Sequence, residues 1–454
     1  MRFPFVKGRA RPPEPASNPE EMLLRARALF RTEESQDLRG VIAEKIEDLG
    51  HYDVLAMDRV AAILMWGRSG SLLLSSYLDG HADVMLLPQS CGQRLYEFFE
   101  RYQSLPLRDK LIGYAAFEPD YPGFFDGDFA ISPDQYYAAV QAILEFSAKW
   151  PAEFLESRRA FFLFVHIAYN LALGRRPPSS PPLIVYCQHV WDNAAARKLV
   201  EDFPQAKFVH TIRDPISSCD GIFRHHFKWV QTHIMLPYST LFLLINKDRP
   251  QFGMESRTRT IRFEDLHSDT AETMRDISDW LGLPYQATLL DSTFNGVPWV
   301  VARDGKAWSG RRLEQVQRRS EDLSGKDRAL LFAMLYENFV EWNYPCPKIF
   351  GNPMVRWVVF LSLFLVPMKM EIVAARAVFK ERTLPSLRKG NIWAMIKFLS
   401  RIALCRVVII GLLAPAFFRR CAFGTTLLRI DHKRRPLERR EDGARAARNE
   451  TELE

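Results

Sequence analysis

The sequence predicts a three-layer α/β domain built around a central parallel sheet, with helical attachments at both ends. Three apolar runs carry this prediction, at residues 60–65, 183–186 and 207–212. An unbroken apolar run is typical of a strand that is buried on both faces. Each run is followed by a segment whose apolar residues have helical spacing, and strands that alternate with helices favour a parallel sheet covered on both sides.

Two shorter runs, 83–87 and 258–263, add two more strands. Near the N-terminus, Asn18 is suited to cap a helix, Pro19 to begin it, and Glu20 to stabilise its first turn. The apolar spacing predicts helices over 19–29, 38–49, 72–78, 134–173, 271–281 and 326–339, another that ends near 200 and another after 215.

Composition divides the chain into four parts. Residues 1–58 form a basic N-terminus and a helical lead-in, and residues 59–349 form the α/β domain. Residues 350–430 are a basic, apolar, helical tail. Residues 431–454 are a charged end that we expect to be disordered.

The net charge of +7 is unevenly distributed. Residues 351–454 contain 20 Lys and Arg against 9 Asp and Glu, a charge of +11, so residues 1–350 carry −4. This distribution argues against a nucleic-acid partner, which would require a basic face on the main domain. Six scattered cysteines without a C-x-x-C pair, and an N-terminus without the apolar core of a secretory signal, predict a cytoplasmic protein.

Residues 65–73, MWGRSGSLL, join the first strand to a helix and have the chemistry of an anion-binding turn. Gly67 and Gly70 let the backbone approach a ligand closely. A helix that begins at 69–71 directs free N–H groups and its positive dipole end at an anion. Arg68 adds a cation, and Ser71 adds a hydroxyl donor. The segment is not a nucleoside-triphosphatase P-loop, since that motif requires a lysine where this chain has Ser71.

Three motifs together resemble the sulfotransferase family. Residues 68–73, RSGSLL, are similar to the family signature R-S-G-[ST]-x-L. Residues 203–215, FPQAKFVHTIRDP, resemble the strand that ends in R-D-P, and residues 261–266, IRFEDL, resemble R-Y-E-D-L. The stretch 78–84, LDGHADV, is similar to L-x-x-H-P-D-V, with Ala82 in place of proline. The matches keep the family's order and cover roughly residues 60–345.

The resemblance implies a P-loop-like sulfotransferase fold for the α/β domain. It also implies 3′-phosphoadenosine 5′-phosphosulfate (PAPS) as the sulfuryl donor, without a metal. The first motif would hold the 5′-phosphosulfate, and Arg213 the 3′-phosphate. The cofactor-binding candidates are therefore Gly67, Arg68, Ser69, Gly70, Ser71, Leu72, Arg213 and Ser217.

The local sequence also indicates a ligand-binding position for Arg213, independently of the resemblance. It ends a strand ahead of a helix that Asp214 is suited to cap and Pro215 to begin, at the carboxyl edge where open α/β sheets bind ligands. The alternative is a structural ion pair with Asp214 or Glu264. Glu264 and Asp265 are expected to hold loops together rather than to take part in the chemistry.

The chain departs from the family pattern at two cofactor positions. Gly221 stands where the family has a serine that binds the 3′-phosphate, and Ser217 or Ser218, one helical turn earlier, would replace it. Residues 303–312, RDGKAWSGRR, have the composition of the family's late cofactor-binding loop. The alternative for that segment is a solvated basic loop.

The catalytic candidates are Arg68, for charge on the sulfuryl group, and His189, as general base. Some relatives use a glutamate after the H-P-D-V stretch, but this chain has Gln89 there, which cannot act as a base. Others use the histidine of a K-x-H motif after the next strand. His189 resembles that histidine, with Cys187 in place of the lysine. A structural role for His189 stays open, and His81 and Glu97 are weaker candidates.

The tail contains two apolar stretches, 357–368 and 407–418, each near twelve residues and interrupted by Pro367 or Pro415. A bilayer span needs about 20 apolar residues. Basic residues lie around both stretches, so we expect helices that lie in the interface of an anionic membrane, on the cytoplasmic face. The alternative is packing on the main domain or on a second subunit.

The sequence thus predicts a PAPS-dependent sulfotransferase that acts on a hydroxyl or amine acceptor, possible classes of which include lipids and glycans. Two rival functions remain. One is a nucleotide phosphotransferase, which the missing P-loop lysine disfavours. The other is a degenerate nucleotide-binding protein without activity, which the replacement of the usual glutamate by Gln89 and of the usual serine by Gly221 favours.

Overall fold

Five strands form one parallel sheet, which confirms the predicted fold class. The sheet order is β2-β3-β1-β4-β5, and every neighbouring pair is parallel. The strands are β1 (Val60–Met65), β2 (Val84–Leu86), β3 (Leu183–Gln188), β4 (Lys207–Ile212) and β5 (Thr258–Arg262). The predicted strand at 258–263 ends one residue early, because Phe263 begins a helix.

The sheet is covered on both faces, as the unbroken apolar runs predict. Along β1, Ala62 and Leu64 belong to one hydrophobic cluster, whereas Ala61 and Ile63 belong to another. Side chains on a strand alternate between the two faces of the sheet. Each face of β1 is therefore buried in its own layer, which places β1 in the interior of the domain.

In this computed structural model the chain forms two compact units, which are considered separately: Met1–Ile212 with Gln251–Gln317, and Arg213–Pro250 with Arg318–Glu454. The predicted boundaries after residues 58, 349 and 430 stay predictions.

The structure describes the following residues: 19–30, 42, 46, 53–65, 68–87, 92, 94–116, 124–125, 130–175, 181–188, 193–229, 237, 240–241, 244–245, 255–303, 306–311 and 323–423.

The first unit surrounds the sheet with helices and carries two small antiparallel hairpins after its last helix. Its helices are α1 (Pro19–Leu29), α2 (Ser71–Leu78), α3 (Leu95–Arg101), α4 (Leu107–Ala116), α5 (Pro133–Ser147), α6 (Ala152–Leu155), α7 (Arg158–Ala172), α8 (Asn193–Asp202), α10 (Phe263–Ser268) and α11 (Thr270–Leu281). The hairpins pair β6 (Thr293–Phe294) with β7 (Val297–Pro298) and β8 (Val300–Arg303) with β9 (Lys306–Ser309).

The second unit is helical in its described part. Its helices are α9 (Pro215–Trp229), α12 (Gly325–Met334), α13 (Tyr336–Glu341), α14 (Pro353–Leu361), α15 (Lys369–Val378), α16 (Leu384–Arg388) and α17 (Trp393–Phe423). The helix predicted over 326–339 is divided at Leu335 into α12 and α13.

The second apolar stretch of the tail, 407–418, belongs to a helix much longer than its twelve residues, and Pro415 does not interrupt that helix. It forms part of α17, a helix of 31 residues that continues through Pro415. Proline removes one backbone hydrogen bond of a helix. Leu413, Ala416 and Phe417 are buried beside it, and this packing holds the helix together on both sides of Pro415.

One histidine of the first unit is enclosed in the core. His166 lies in α7, is fully shielded from solvent, and packs against Phe162 with ring centroids 4.4 Å apart and the ring planes tilted. Its Nδ1–H donates to the carbonyl oxygen of Phe162 at 2.8 Å, since a carbonyl can only accept. Burial lowers the pKa of His166 to about 4, against the smaller raising effect of this hydrogen bond. The imidazole is therefore neutral at pH 7.

We expect His166 to make the protein less stable as the pH falls from about 6.5 towards 4. In that range the unfolded histidine binds a proton and the folded one does not, so the free energy of unfolding decreases. The contribution at pH 5 is about 2 kcal/mol. His210, whose pKa burial lowers to about 3, acts in the same direction.

The measurement is denaturant unfolding of the wild type and of His166→Gln at pH 7 and at pH 5. The variant cannot titrate at this position, so its unfolding free energy should change less between the two pH values. An equal change in both proteins would show that His166 does not contribute to acid sensitivity.

Candidate functional site

The anion-binding turn follows β1 at the carboxyl edge of the sheet, as the sequence predicts. Gly70 occupies the N-cap of α2 with φ of +87°, and no side chain caps the helix. The first N–H groups of an α-helix have no partner within the helix. Arg68 is exposed ahead of them, and Leu72 is partly exposed in the first turn. Gly67 lies outside the described residues.

The Ser69 hydroxyl fixes this turn to the neighbouring strand. Ser69 is completely buried, and its Oγ lies 2.9 Å from Oγ1 of Thr211 on β4. The Thr211 hydroxyl donates to the carbonyl oxygen of Leu64 at 3.2 Å. Because that uses the only hydroxyl proton of Thr211, Ser69 donates in the first bond. The side chain of Ser69 is thus structural, and a ligand would meet its backbone instead.

The third sequence motif, residues 261–266, lies at the end of β5 and supports the turn from there. Phe263, the first residue of α10, lies so close to Gly70 that a Cβ atom there would overlap its ring. Arg262 and Asp265 form a bidentate ion pair, with N–O distances of 2.8 and 2.9 Å. Asp265 therefore holds the start of α10 in place, as expected. The contact with Phe263 is what the sequence analysis missed, although the motif contained the residue.

We expect Gly70→Ala to destabilise the first unit by about 2–5 kcal/mol. A left-handed conformation costs an alanine about 1–2 kcal/mol, and overpacking costs about 1–3 kcal/mol. The variant should also bind nucleotide more weakly, because the start of α2 must move. The measurement is denaturant unfolding together with nucleotide titration.

Gly296→Ala is the matched control for this variant. Gly296 has φ of +74°, but an added Cβ there meets no atom within 4 Å. It should therefore show only the conformational cost. Equal destabilisation by the two substitutions would mean that the ring of Phe263 does not constrain the turn.

Cys187, at the end of β3, lies beneath the same helix. Its Sγ is 3.1 Å from the Oγ of Ser75 on α2. Burial raises the pKa of the Cys187 thiol to about 11, and the hydrogen bond with Ser75 lowers it to a smaller extent. The thiol is neutral at pH 7. At the position where the resemblance implies a lysine, this chain thus supplies no charge.

In the second unit, α9 begins as the sequence predicts. Pro215 is its first residue, and the Oδ1 of Asp214 accepts a hydrogen bond from the N–H of Ser217 at 2.7 Å. Arg213 and Ser217 are partly exposed, whereas Ser218 is fully buried. Of the two serines suggested for the phosphate, Ser217 is therefore the accessible one. Arg213 directly follows β4 in the chain.

The structure describes only some of the candidates for the catalytic base. His189 and Gln89 lie outside the described residues. Glu97 is exposed in the first turn of α3. The segment proposed as the late cofactor loop contributes to the β8–β9 hairpin, and its residues 304–305 and 312 lie outside the described part.

His81 is excluded as the base by its position. It precedes β2, at the amino edge of the parallel sheet, whereas the turn follows β1 at the carboxyl edge. Its Nδ1 accepts from the N–H of Asp83 at 3.0 Å, so its Nε2–H donates to the carbonyl oxygen of Pro284 at 2.8 Å. Both ring nitrogens are used to shape this connection.

A parallel α/β sheet with an uncapped helix start and an exposed arginine at its carboxyl edge is an arrangement suited to an anionic ligand. No group of three or more His, Cys, Asp or Glu side chains is placed to hold a metal ion within the described residues. The sequence model of the sulfotransferase family matches residues 62–287. The chain therefore belongs to the sulfotransferase family, which confirms the resemblance.

Solved sulfotransferase domains also match the chain. The domain from the curacin biosynthetic pathway is 17% identical, with 67% of this chain and 96% of that chain covered and a TM-score of 0.32. A sulfotransferase from Mycobacterium avium is 14% identical, with 68% and 82% covered and a TM-score of 0.33. The domain from the Synechococcus PCC 7002 olefin synthase is 19% identical, with 51% and 76% covered and a TM-score of 0.29. No curated protein sequence matches significantly.

Proposed function

We propose that this protein transfers a sulfuryl group from PAPS to a hydroxyl or amine acceptor. The observation that carries the proposal is the start of α2. There, Gly70 leaves the first N–H groups without a side-chain cap, and Arg68 is exposed beside them. Such a helix start binds phosphate-like anions through its N–H groups and its dipole.

The residues of the turn fit the 5′-phosphosulfate of this donor. The N–H groups of Gly70 and Ser71 would bind oxygens of the anion, and Arg68 would stabilise the charge that develops on the sulfuryl group and the leaving phosphate. Phe263 and Thr211 keep the turn in position through the contacts described above. Preorganised donors of this kind need no rearrangement during the reaction.

Arg213 and Ser217 are proposed to bind the 3′-phosphate of the donor. Asp214 caps α9 through the N–H of Ser217. Ser217 is partly exposed in the first turn of this helix, four residues after Arg213. A guanidinium and a hydroxyl at a helix start are suited to a phosphate dianion.

His189 is the proposed general base. It follows the last residue of β3, Gln188, in the chain. An imidazole near neutral pH can accept the proton of an acceptor hydroxyl as the new bond to sulfur forms.

Binding and turnover together test the proposal. We expect the full-length protein to bind 3′-phosphoadenosine 5′-phosphate at least about tenfold more tightly than ATP, because only the former carries the 3′-phosphate that Arg213 is proposed to bind. With PAPS and a panel of alcohols, phenols, amines and glycans, label from the donor should appear in an acceptor. Preference for ATP would support a phosphotransferase. Tight binding of the bisphosphate without turnover on any acceptor would support the degenerate binding protein.

A further inference from the structure

We propose that the second unit carries a membrane-docking face that inserts into the interface of an anionic bilayer without crossing it. The face is made of the exposed apolar side chains of α14 and α17. These are Met354, Val358 and Leu361 of α14, Leu365 just after it, and Leu404, Val407, Val408 and Phe418 of α17. Exposed fractions run from 45% at Val408 to 84% at Leu365. Apolar surface of this extent marks an interaction site.

The two helices pack against each other, so their outward sides belong to one surface. The Phe360 and Phe417 rings stack with centroids 4.5 Å apart, and Trp357 meets Phe417 at 4.9 Å. Trp357 also contacts Phe418, an exposed member of the face, at 6.2 Å. Aromatic side chains that have an apolar body and a solvated polar end are typical of membrane interfaces.

The outward side of α17 is apolar over much of its length. From residue 403 to residue 418, the exposed positions of the described side chains are all uncharged: Ala403, Leu404, Val407, Val408, Gly411, Pro415 and Phe418. This stretch is about 23 Å long at 1.5 Å per residue. An exposed helix side without charge is unusual on a water-facing surface and suits contact with lipid chains.

Charge selects an anionic membrane as the occupant of this face. Over residues 353–423, nine basic side chains are exposed, namely Lys369, Arg376, Lys380, Arg382, Arg388, Lys389, Lys397, Arg401 and Arg419. Glu381 is the one exposed acid in this range. A second copy of the chain would carry the same excess of cations on these helices and would be repelled. Anionic lipid headgroups attract them.

Whether α17 lies in the interface or crosses the bilayer depends on the contacts of its opposite, buried side. By length and composition, residues Trp393–Ala422 form a helix able to cross a membrane, the one such helix found in the described part of the chain, with a mean hydropathy of 2.0. However, Ile410, Leu413 and Phe417 on this helix are buried within the protein.

Arg420 fixes the same end of α17 to the protein. This buried arginine donates to the Oδ1 of Asn338 at 2.7 Å and to the carbonyl oxygen of Ile245 at 3.1 Å. To cross a bilayer, the helix would have to give up these bonds and expose the guanidinium to lipid, which is costly. The helix therefore meets the membrane from one side.

The test is co-sedimentation of the full-length protein with vesicles of phosphatidylcholine alone and of phosphatidylcholine with phosphatidylglycerol. We expect binding to the anionic vesicles that is at least about tenfold stronger than to the neutral ones, given nine exposed cations. High salt should weaken this binding without abolishing it, because the apolar contribution is not screened.

Val407→Glu should reduce vesicle binding at least about tenfold, since it places a carboxylate in the middle of the face. Val340→Glu is the matched control. Val340 is an exposed valine of the same unit on α13, outside the face, and its replacement should leave binding unchanged. Circular dichroism checks that both variants remain folded.

Four outcomes would overturn the proposal. The wild type could remain in the supernatant with anionic vesicles, or Val407→Glu could bind as well as Val340→Glu. The bound protein could also resist extraction at alkaline pH, which would indicate a crossing helix. A dimer that Val407→Glu dissociates, without vesicle binding, would assign the face to a second copy of the chain.

Discussion

Arg68→Ala should reduce the rate of sulfuryl transfer by about a hundredfold or more, with the protein still folded. One preorganised donor to a developing negative charge contributes this much to catalysis. The side chain is exposed beside an uncapped helix start, so its removal creates no cavity. The measurement is steady-state transfer from PAPS, together with thermal unfolding.

Two further variants make this result specific. Arg68→Lys keeps the positive charge but loses the planar fork of the guanidinium, so its activity should fall between those of wild type and Arg68→Ala. Arg275→Ala removes an exposed arginine from α11 of the same unit and should leave the rate unchanged. If Arg68→Ala is folded and fully active, Arg68 has no part in the mechanism.

Arg213→Ala should weaken the binding of 3′-phosphoadenosine 5′-phosphate by about 2–4 kcal/mol, the range for a lost contact between charged groups. In dissociation constants this is a factor of roughly 30 to 900. Binding of adenosine 5′-phosphate should barely change, because it lacks the 3′-phosphate. Calorimetric titration of both nucleotides gives the difference directly.

Arg224→Ala is the control for this second variant. Arg224 lies on α9, eleven residues after Arg213, and its Nε pairs with Asp220 at 2.8 Å. Its loss changes the net charge of the unit by the same amount, so the two nucleotides should respond equally. Equal weakening of both nucleotides by Arg213→Ala would instead show that Arg213 has a structural role.

The sequence alone was sufficient for the elements of the sheet and for the turn that follows β1. All five strands were predicted within two residues of their observed ends, because a buried strand has an unbroken apolar run that needs no knowledge of its neighbours. The start of α9 was equally predictable, since Asp214 and Pro215 act within one turn of the chain. The ligand-binding roles of Arg68 and Arg213, which the resemblance implies, stay predictions.

Contacts between distant parts of the chain were not predictable from such patterns. The bond between Ser69 and Thr211 joins residues 142 positions apart, and it engages the Ser69 hydroxyl, so that a ligand would meet the backbone of this residue. The overlap that would strain any larger residue at position 70 comes from Phe263, the residue that follows β5. His81 is excluded as the base because the sheet places it at the edge opposite the turn, which the sequence pattern did not show.

The tail shows the same division most clearly. Composition determined that residues 351–454 are basic and apolar, but not that Pro415 lies inside one helix or which side of that helix faces outward. Those two features depend on Phe360 stacking on Phe417 and on the bonds of Arg420. Local patterns determine which segments form helices and strands, because propensity and capping act between near neighbours. Tertiary packing decides which residues are buried, because burial depends on residues that are far apart in the chain.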